Sequence, residues 1–297
     1  MLEQHIGNKT LILLAVTLKG KNGDAIIQSE LLQLNGRDEI KLPRDRRARR
    51  NTLTGLKNLS PATATVLVHK IDHLKYEAKE MLRHLNWTDE PLNAMLDTQT
   101  GCELLCDWFV TAKDDRHYYQ AGEEASYPKV SDDLALKAAL KYVSVGNAGV
   151  YAMHNRVEEV LNKFINKIDL LEMSKNVHSR RVVFSLAIKN VNPNIKQILH
   201  NAYEAAEKAQ CLPAFRDIAR VNLLPHVSNL DRAFPKEEQG QLIEAHLQII
   251  QKILEKPEMI RKEKINPDDR AVDYGNILQT VHSNYGVGFK PILQDVK

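Results

Sequence analysis

Cysteine is nearly absent: Cys102, Cys106 and Cys211 are the only three in 297 residues. They cannot all pair within one chain and show no disulfide-framework spacing, which excludes a small stapled scaffold and points to a reducing compartment. Glycine and proline are also sparse, at 13 and 11 residues. That argues against the turn-dense chemistry of a sandwich or barrel and leaves Leu, Ala, Glu, Lys, Gln and Asn to favour helices. Long apolar runs are missing too. The stretch Leu11 to Leu18 is too short to span a bilayer, and with Glu3 ahead of it and a Lys-Gly-Lys-Asn-Gly turn behind, it makes a poor secretory signal. The expected location is therefore cytoplasmic, with no membrane partner.

What is present is an ordinary globular composition, 43% hydrophobic and 27% charged, in a chain long enough for one large or two ordinary domains. Charge is unevenly placed. Lys41, Arg44, Arg46, Arg47, Arg49, Arg50 and Lys57 face a single acid, Asp45, within seventeen residues. Outside that window the chain holds 34 basic and 37 acidic residues, so its body is mildly acidic.

Hydrophobic period and helix punctuation predict a mainly α fold, a multi-helix bundle with a small N-terminal β-hairpin, with α+β as the alternative. The hairpin joins Thr10–Lys19 to Ala25–Leu34 around a Gly/Asn/Asp turn, although the second run also fits the start of a helix. The basic window then reads as a connecting segment. Ser60-Pro61 opens a helix of six to seven turns whose apolar stripe runs through Leu67, Ile71, Leu74, Ala78, Met81 and Leu85. Shorter helices are expected after Thr88 and over Cys102–Ala112, and a loop over residues 113–130. Ser131 opens the next helix. A long one follows with Val150, Met153, Val157, Val160, Phe164, Ile168 and Leu171 on its buried side. Arg181–Val191 is β-branched enough to favour a strand, with a helix from Ser179 to Asn190 as the competing reading. Further helices begin at Asn192-Pro193, at Pro235 and at Asn266-Pro267, with a short piece over Leu212–Leu224 bracketed by Pro213 and Pro225. The expected division is an N-terminal β element with basic segment at 1–59, a first helical subdomain at 60–130 and a second at 131–297, or one continuous domain.

The basic window is the strongest candidate site. Arginine's planar fork suits phosphate geometry, and cations at this density release counterions from a nucleic-acid backbone. Lys75, Lys79 and Arg83, off the apolar stripe of the helix that follows, extend the candidate nucleic-acid-binding set to Lys41, Arg44, Arg46, Arg47, Arg49, Arg50, Lys57, Lys75, Lys79 and Arg83. The same window also fits pairing with the chain's own acids, a protein partner, or a nuclear-import signal. Arg116-His117-Tyr118-Tyr119 is a small cluster of the kind that stacks bases.

Other constellations are weaker. His69 and His73 have metal-ligand spacing but lack a third ligand, so no metal site is expected. Cys102 and Cys106 read as core thiols. Gly286-Val287-Gly288 lacks the spacing of a phosphate loop, and no cofactor or catalytic residue is assigned. Arg220 to His226, RVNLLPH, resembles the Arg-x(4–6)-His spacing of helical RNases of the HEPN type, which would imply metal-independent RNA cleavage. Pro225 interrupts the helix that such a pair needs. The function expected is that of a noncatalytic helical nucleic-acid-binding protein or nucleoprotein-complex subunit, with a homo-oligomer or larger protein complex as its assembly. The alternative is a helical interaction scaffold offering the stripes at 67–85 and 150–171 to partner helices.

Overall fold

The computed structural model describes residues 10–12, 21–35, 38–42, 44–74, 82–111, 128–145, 155–223, 234–255 and 274–285. They are mainly helical and divide into two compact units, Met1–Tyr142 with His154–Val160, and Val143–Met153 with Leu161–Lys297.

In the first unit, strand β1 (Thr10–Ile12) pairs in parallel with β2 (Glu39–Lys41), with Thr10 opposite Glu39 and Ile12 opposite Lys41. The expected hairpin is not formed, because the run assigned to its second strand is helix α1 (Lys21–Leu32). The reason lies in its burial. Ile27, Leu31 and Leu34 are buried four and three residues apart, while Ile26 and Leu32 are exposed, a period that only a helix satisfies. Helix α2 (Arg46–Leu56) follows, then α3 (Pro61–His69).

The start of α3 is tied to α1 by a half-buried polar knot. Asp24 accepts from the Ser60 amide (3.1 Å), the Ser60 hydroxyl (2.7 Å) and the Thr63 hydroxyl (2.8 Å), while Ser60 caps the helix by accepting from the Thr63 amide. Burial alone would raise the Asp24 pKa, and these hydrogen bonds outweigh it, so the carboxyl lies below its ordinary value. The segment carrying the basic window is thereby anchored at its C-terminal side. It does not swing on a free linker.

The six-to-seven-turn helix expected after Ser60 does not run through. α3 ends at Lys70, a 3-10 turn spans Ile71–His73, and Leu74 is extended. Three tertiary bonds account for the break: Leu74 bridges to Ile40, His73 Nδ1 meets the Asp38 carbonyl at 2.9 Å, and Lys70 Nζ donates to the Leu34 carbonyl at 2.8 Å. The stripe residues Leu67, Ile71 and Leu74 are buried all the same. Helix α4 (Asp89–Ala94), a 3-10 turn at Met95–Asp97 and helix α5 (Gln99–Thr111) complete this part. A Cβ on Gly101 would lie 2.1 Å from the Met95 carbonyl oxygen, so glycine lets α5 press against that turn. Trp87 and Trp108 meet edge to face, 5.2 Å between centroids, in the core. Helix α6 (Asp132–Ser144) begins close to the expected Ser131 start. The unit boundary after Tyr142 falls near its end, later than the expected division at 131.

Helix α7 (Asn155–Lys163) belongs to the first unit up to Val160 and to the second from Leu161. The long helix expected over 150–171 stops at Phe164, followed by a 3-10 turn at Ile165–Lys167 and the short α8 (Leu170–Ser174). Asp169 forces a fresh start there, its carboxylate accepting from the Glu172 amide at 3.0 Å. Arg181–Val191, favoured as a strand, is helical instead: α9 spans Arg180–Lys189, and it buries Val182, Val183, Phe184, Leu186 and Ala187. Helix packing decides an apolar run that propensity leaves ambiguous.

Helix α10 (Ile195–Lys208) is the hub of the second unit, packing on α8, α9, α11 (Leu212–Arg220) and α12 (Lys236–Leu254). Its buried face of Ile195, Ile198, Leu199, Ala202, Tyr203 and Ala206 has the expected spacing. Its alanines permit the close approach of so many neighbours. Helix α13 (Tyr274–Tyr285) packs on α11. Among the described residues, no helix is long and apolar enough to cross a membrane.

Candidate nucleic-acid interface

The core of the basic window, read from sequence as a connection, is helix α2. Asp45 caps it, its Oδ1 accepting from the Ala48 amide at 2.7 Å. The Thr52 hydroxyl donates to the Ala48 carbonyl and the Thr54 hydroxyl to the Arg50 carbonyl, at 2.9 and 3.0 Å. On the inner face Thr52, Leu53 and Leu56 are buried. This i, i+1, i+4 set is the signal that betrays the helix, and it is short enough to be overlooked beneath the charge.

At about 100° per residue, Arg46, Arg50 and Lys57 fall within about 40° of arc, with Thr54, Arg47 and Asn51 extending the same face to about 140°. All six are exposed. Arg44 is exposed just ahead of the cap. None of Arg44, Arg46, Arg47, Arg50 and Lys57 has an ion-pair partner among the described residues.

The remaining predicted cations behave differently. Lys41 is bound to Glu39 at 2.8 Å. Arg49 lies on the half-buried flank of α2 and has interactions of its own, and Arg83 is half-buried. Lys75 and Lys79 lie outside the described residues. The structure thus brings five of the ten candidates together as exposed cations on and beside one helix.

That helix is electrostatically unfavourable. Its first turn contains no acid and starts with two arginines, whereas the positive end of the macrodipole favours anions by about 0.3–1 kcal/mol per group. The Asp45 cap and the burial of Leu53 and Leu56 hold it together. Helix dipole and side chains therefore add to one positive potential.

No protein-family model, curated protein or solved structure matches this chain. Function has to be argued from the residues themselves.

The other candidates fall into bland roles. His69 Nε2 pairs with Asp97 at 3.2 Å while His73 bonds to the Asp38 carbonyl, so the two imidazoles serve separate contacts. Among the described residues no cluster of three His, Cys, Asp or Glu side chains is placed to hold a metal. Burial pushes the Cys102 thiol up to about 11 and Cys106 higher still, which keeps both protonated and unreactive. Arg220 is exposed at the end of α11, and His226 lies outside the described residues, as do Arg116 to Tyr119 and Gly286 to Gly288.

One polar site was not legible in the sequence. His246 belongs to the apolar stripe of α12 by spacing and is fully buried. Its Nε2 donates to the Ile218 carbonyl at 2.8 Å and its Nδ1 accepts from the Tyr285 hydroxyl at 2.7 Å, joining α11, α12 and α13. Burial holds the imidazole down to about pKa 4 despite the Ile218 bond, which pulls the other way. Its neutral form is thus the structural one.

Proposed function

We propose that this protein is a noncatalytic, cytoplasmic nucleic-acid-binding subunit that grips phosphates with the outer face of α2. The observation that carries the reading is the cluster of Arg44, Arg46, Arg47, Arg50 and Lys57, five exposed cations without a carboxylate partner among the described residues, in a chain whose remainder is mildly acidic. An arginine used for internal pairing sits against an acid, as Arg180 and Arg181 do against Asp217. Those on α2 do not. Arg46 and Arg47, in the first turn, also oppose the stability of their own helix, and such local conflicts concentrate where function is carried.

The test is retention of the full chain on nucleic acid across a salt series. Five phosphate contacts give a slope of log affinity against log salt of about −3.5 on single strands and about −4.5 on duplex. Replacing Arg46, Arg47 and Arg50 together by Glu should abolish retention at moderate salt. Arg49 is left in place because it is half-buried. Binding that is independent of salt and unchanged in the triple variant overturns the proposal and turns attention to the scaffold alternative.

A further inference from the structure

The face of α2 carries more than charge. Between and beside its cations stand Asn51 and Thr54, both exposed, so the full outward row is Arg46, Arg47, Arg50, Asn51, Thr54 and Lys57. Each is a hydrogen-bonding side chain of the type that reads base edges: arginine to guanine O6 and N7, asparagine to adenine N6 and N7, threonine to either base pair. The row contains no acid and no apolar side chain. From Arg46 to Lys57 it runs about 16 Å along the axis, and an α-helix with its side chains is about as wide as the B-DNA major groove.

We infer that α2 is a groove-reading helix, and that the nucleic acid bound by this protein is duplex DNA entered through its major groove. The inference rests on the phosphate-binding reading above and sharpens it to one polymer. Two observations separate DNA duplex from the other nucleic acids. The segment from Lys41 to Ser60 contains no Phe, Tyr, Trp or His, so it lacks the stacking platform by which single strands are held. In double-stranded RNA the major groove is deep and narrow, and side chains on a helix cannot read it. The opposite face of α2, through Thr52, Leu53 and Leu56, is buried, which fixes which residues point away from the unit. Arg44 and Lys57 lie at the two ends of the helix, where cations contact the phosphates flanking the groove. Arg46, Arg47 and Arg50 with Asn51 occupy its N-terminal half, the part that reaches base edges when a helix docks in this way.

The experiment uses the full chain and three probes of equal length: a random-sequence DNA duplex pool, the corresponding RNA duplex, and a mixed-sequence DNA single strand. The expected result is preference for the DNA duplex, with enrichment of particular sequences after repeated selection. Asn51→Ala should then lower discrimination at one base position about tenfold or more while leaving the salt slope unchanged, and Lys57→Ala should do the converse, reducing the slope by about 0.9 with discrimination intact. Equal or tighter binding to RNA duplex or single strand overturns the groove assignment but leaves nucleic-acid binding standing. So does DNA binding with no enriched sequence, which reduces α2 to a phosphate clamp. Failure to bind all three probes overturns both. Circular dichroism of each variant, expected to match the parent, shows that the fold is retained, since both side chains are exposed.

Discussion

Two helices of this protein begin with the same pair of residues and set them in opposite surroundings. α2 opens on Arg46-Arg47 and α9 on Arg180-Arg181. In α9 both guanidinium groups are taken by Asp217 of α11: Arg180 through a very short contact, Arg181 at 2.8 Å. The side chain of Arg180 is 3% exposed and that of Asp217 10%. In α2, Arg46 and Arg47 have no ion-pair partner among the described residues, and the carboxylate of the cap Asp45 accepts from the Ala48 amide. The arginine pair itself is therefore uninformative. What separates a structural cation from a candidate binding cation is whether the fold supplies a carboxylate across from it, and that partner is 36 or 37 residues away in the chain for α9.

The comparison breaks most visibly at Asp217. Asp217→Ala strands Arg180 as a buried unpaired charge, and breaking such a pair costs about 3–5 kcal/mol. Denaturant unfolding of the variant should show a loss of that size, and an unchanged midpoint would mean that Arg180 finds water or another acceptor. Acid provides the next largest effect, again in the sealed second unit. His246 is neutral in the fold with a pKa of about 4, against about 6.5 in an unfolded chain. The unfolded state thus binds a proton that the folded state refuses. Stability is complete above about pH 6.5 and falls by roughly 3 kcal/mol as the pH drops to about 4. Chemical denaturation at pH 7, 5.5 and 4 checks this, with Tyr285→Phe as a companion. That change removes the hydroxyl donor to Nδ1 at a cost of about 1–3 kcal/mol.

On α2, where Asp45 and most of the cations are exposed, the expected effects are smaller. Asp45→Ala removes the cap of α2 and costs about 1 kcal/mol. Asp45→Asn keeps a capping oxygen while deleting the only acid of the basic window, so stability holds and affinity for polyanions rises. If both variants weaken binding equally, the carboxylate has a role beyond capping.

How far the sequence discloses this molecule can be argued from the same elements. The helical class, and the starts near Pro61, Asp132, Ile195 and Lys236, follow from caps and prolines whose action is local. The break at Lys70 does not. Leu67, Ile71 and Leu74 keep their helical spacing through a segment that the Leu74–Ile40 bridge and the His73–Asp38 bond pull out of helix, and no window of local residues contains those partners. Helix α2 was hidden for the opposite reason. Its charge dominated its composition, while the cap and three buried residues that make it a helix were in plain order along the chain. Of the candidate site, the residue types were legible and their sorting was not. Whether Lys41 meets Glu39 or Arg49 turns inward depends on which face the fold buries.

The finest test sets Arg47 against Arg181, each the second residue of its helix. A glutamate at that position gains from the helix dipole by about 0.3–1 kcal/mol in either helix. In α2 nothing offsets the gain, because Arg47 has no ion-pair partner among the described residues and sits among like charges. Arg47→Glu should therefore stabilise the protein slightly while weakening its retention on nucleic acid. In α9 the same change places a second carboxylate beside Asp217, where Arg181 had been at 2.8 Å. Its side chain is 38% exposed, so the lost attraction is modest, of the order of 1 kcal/mol, but its sign is opposite and it exceeds the dipole gain. Measured side by side, the two variants should move the unfolding midpoint in opposite directions. Movement in the same direction would show that Arg47 is held by an acid after all, and the distinction between the two arginine pairs on which the binding proposal stands would be lost.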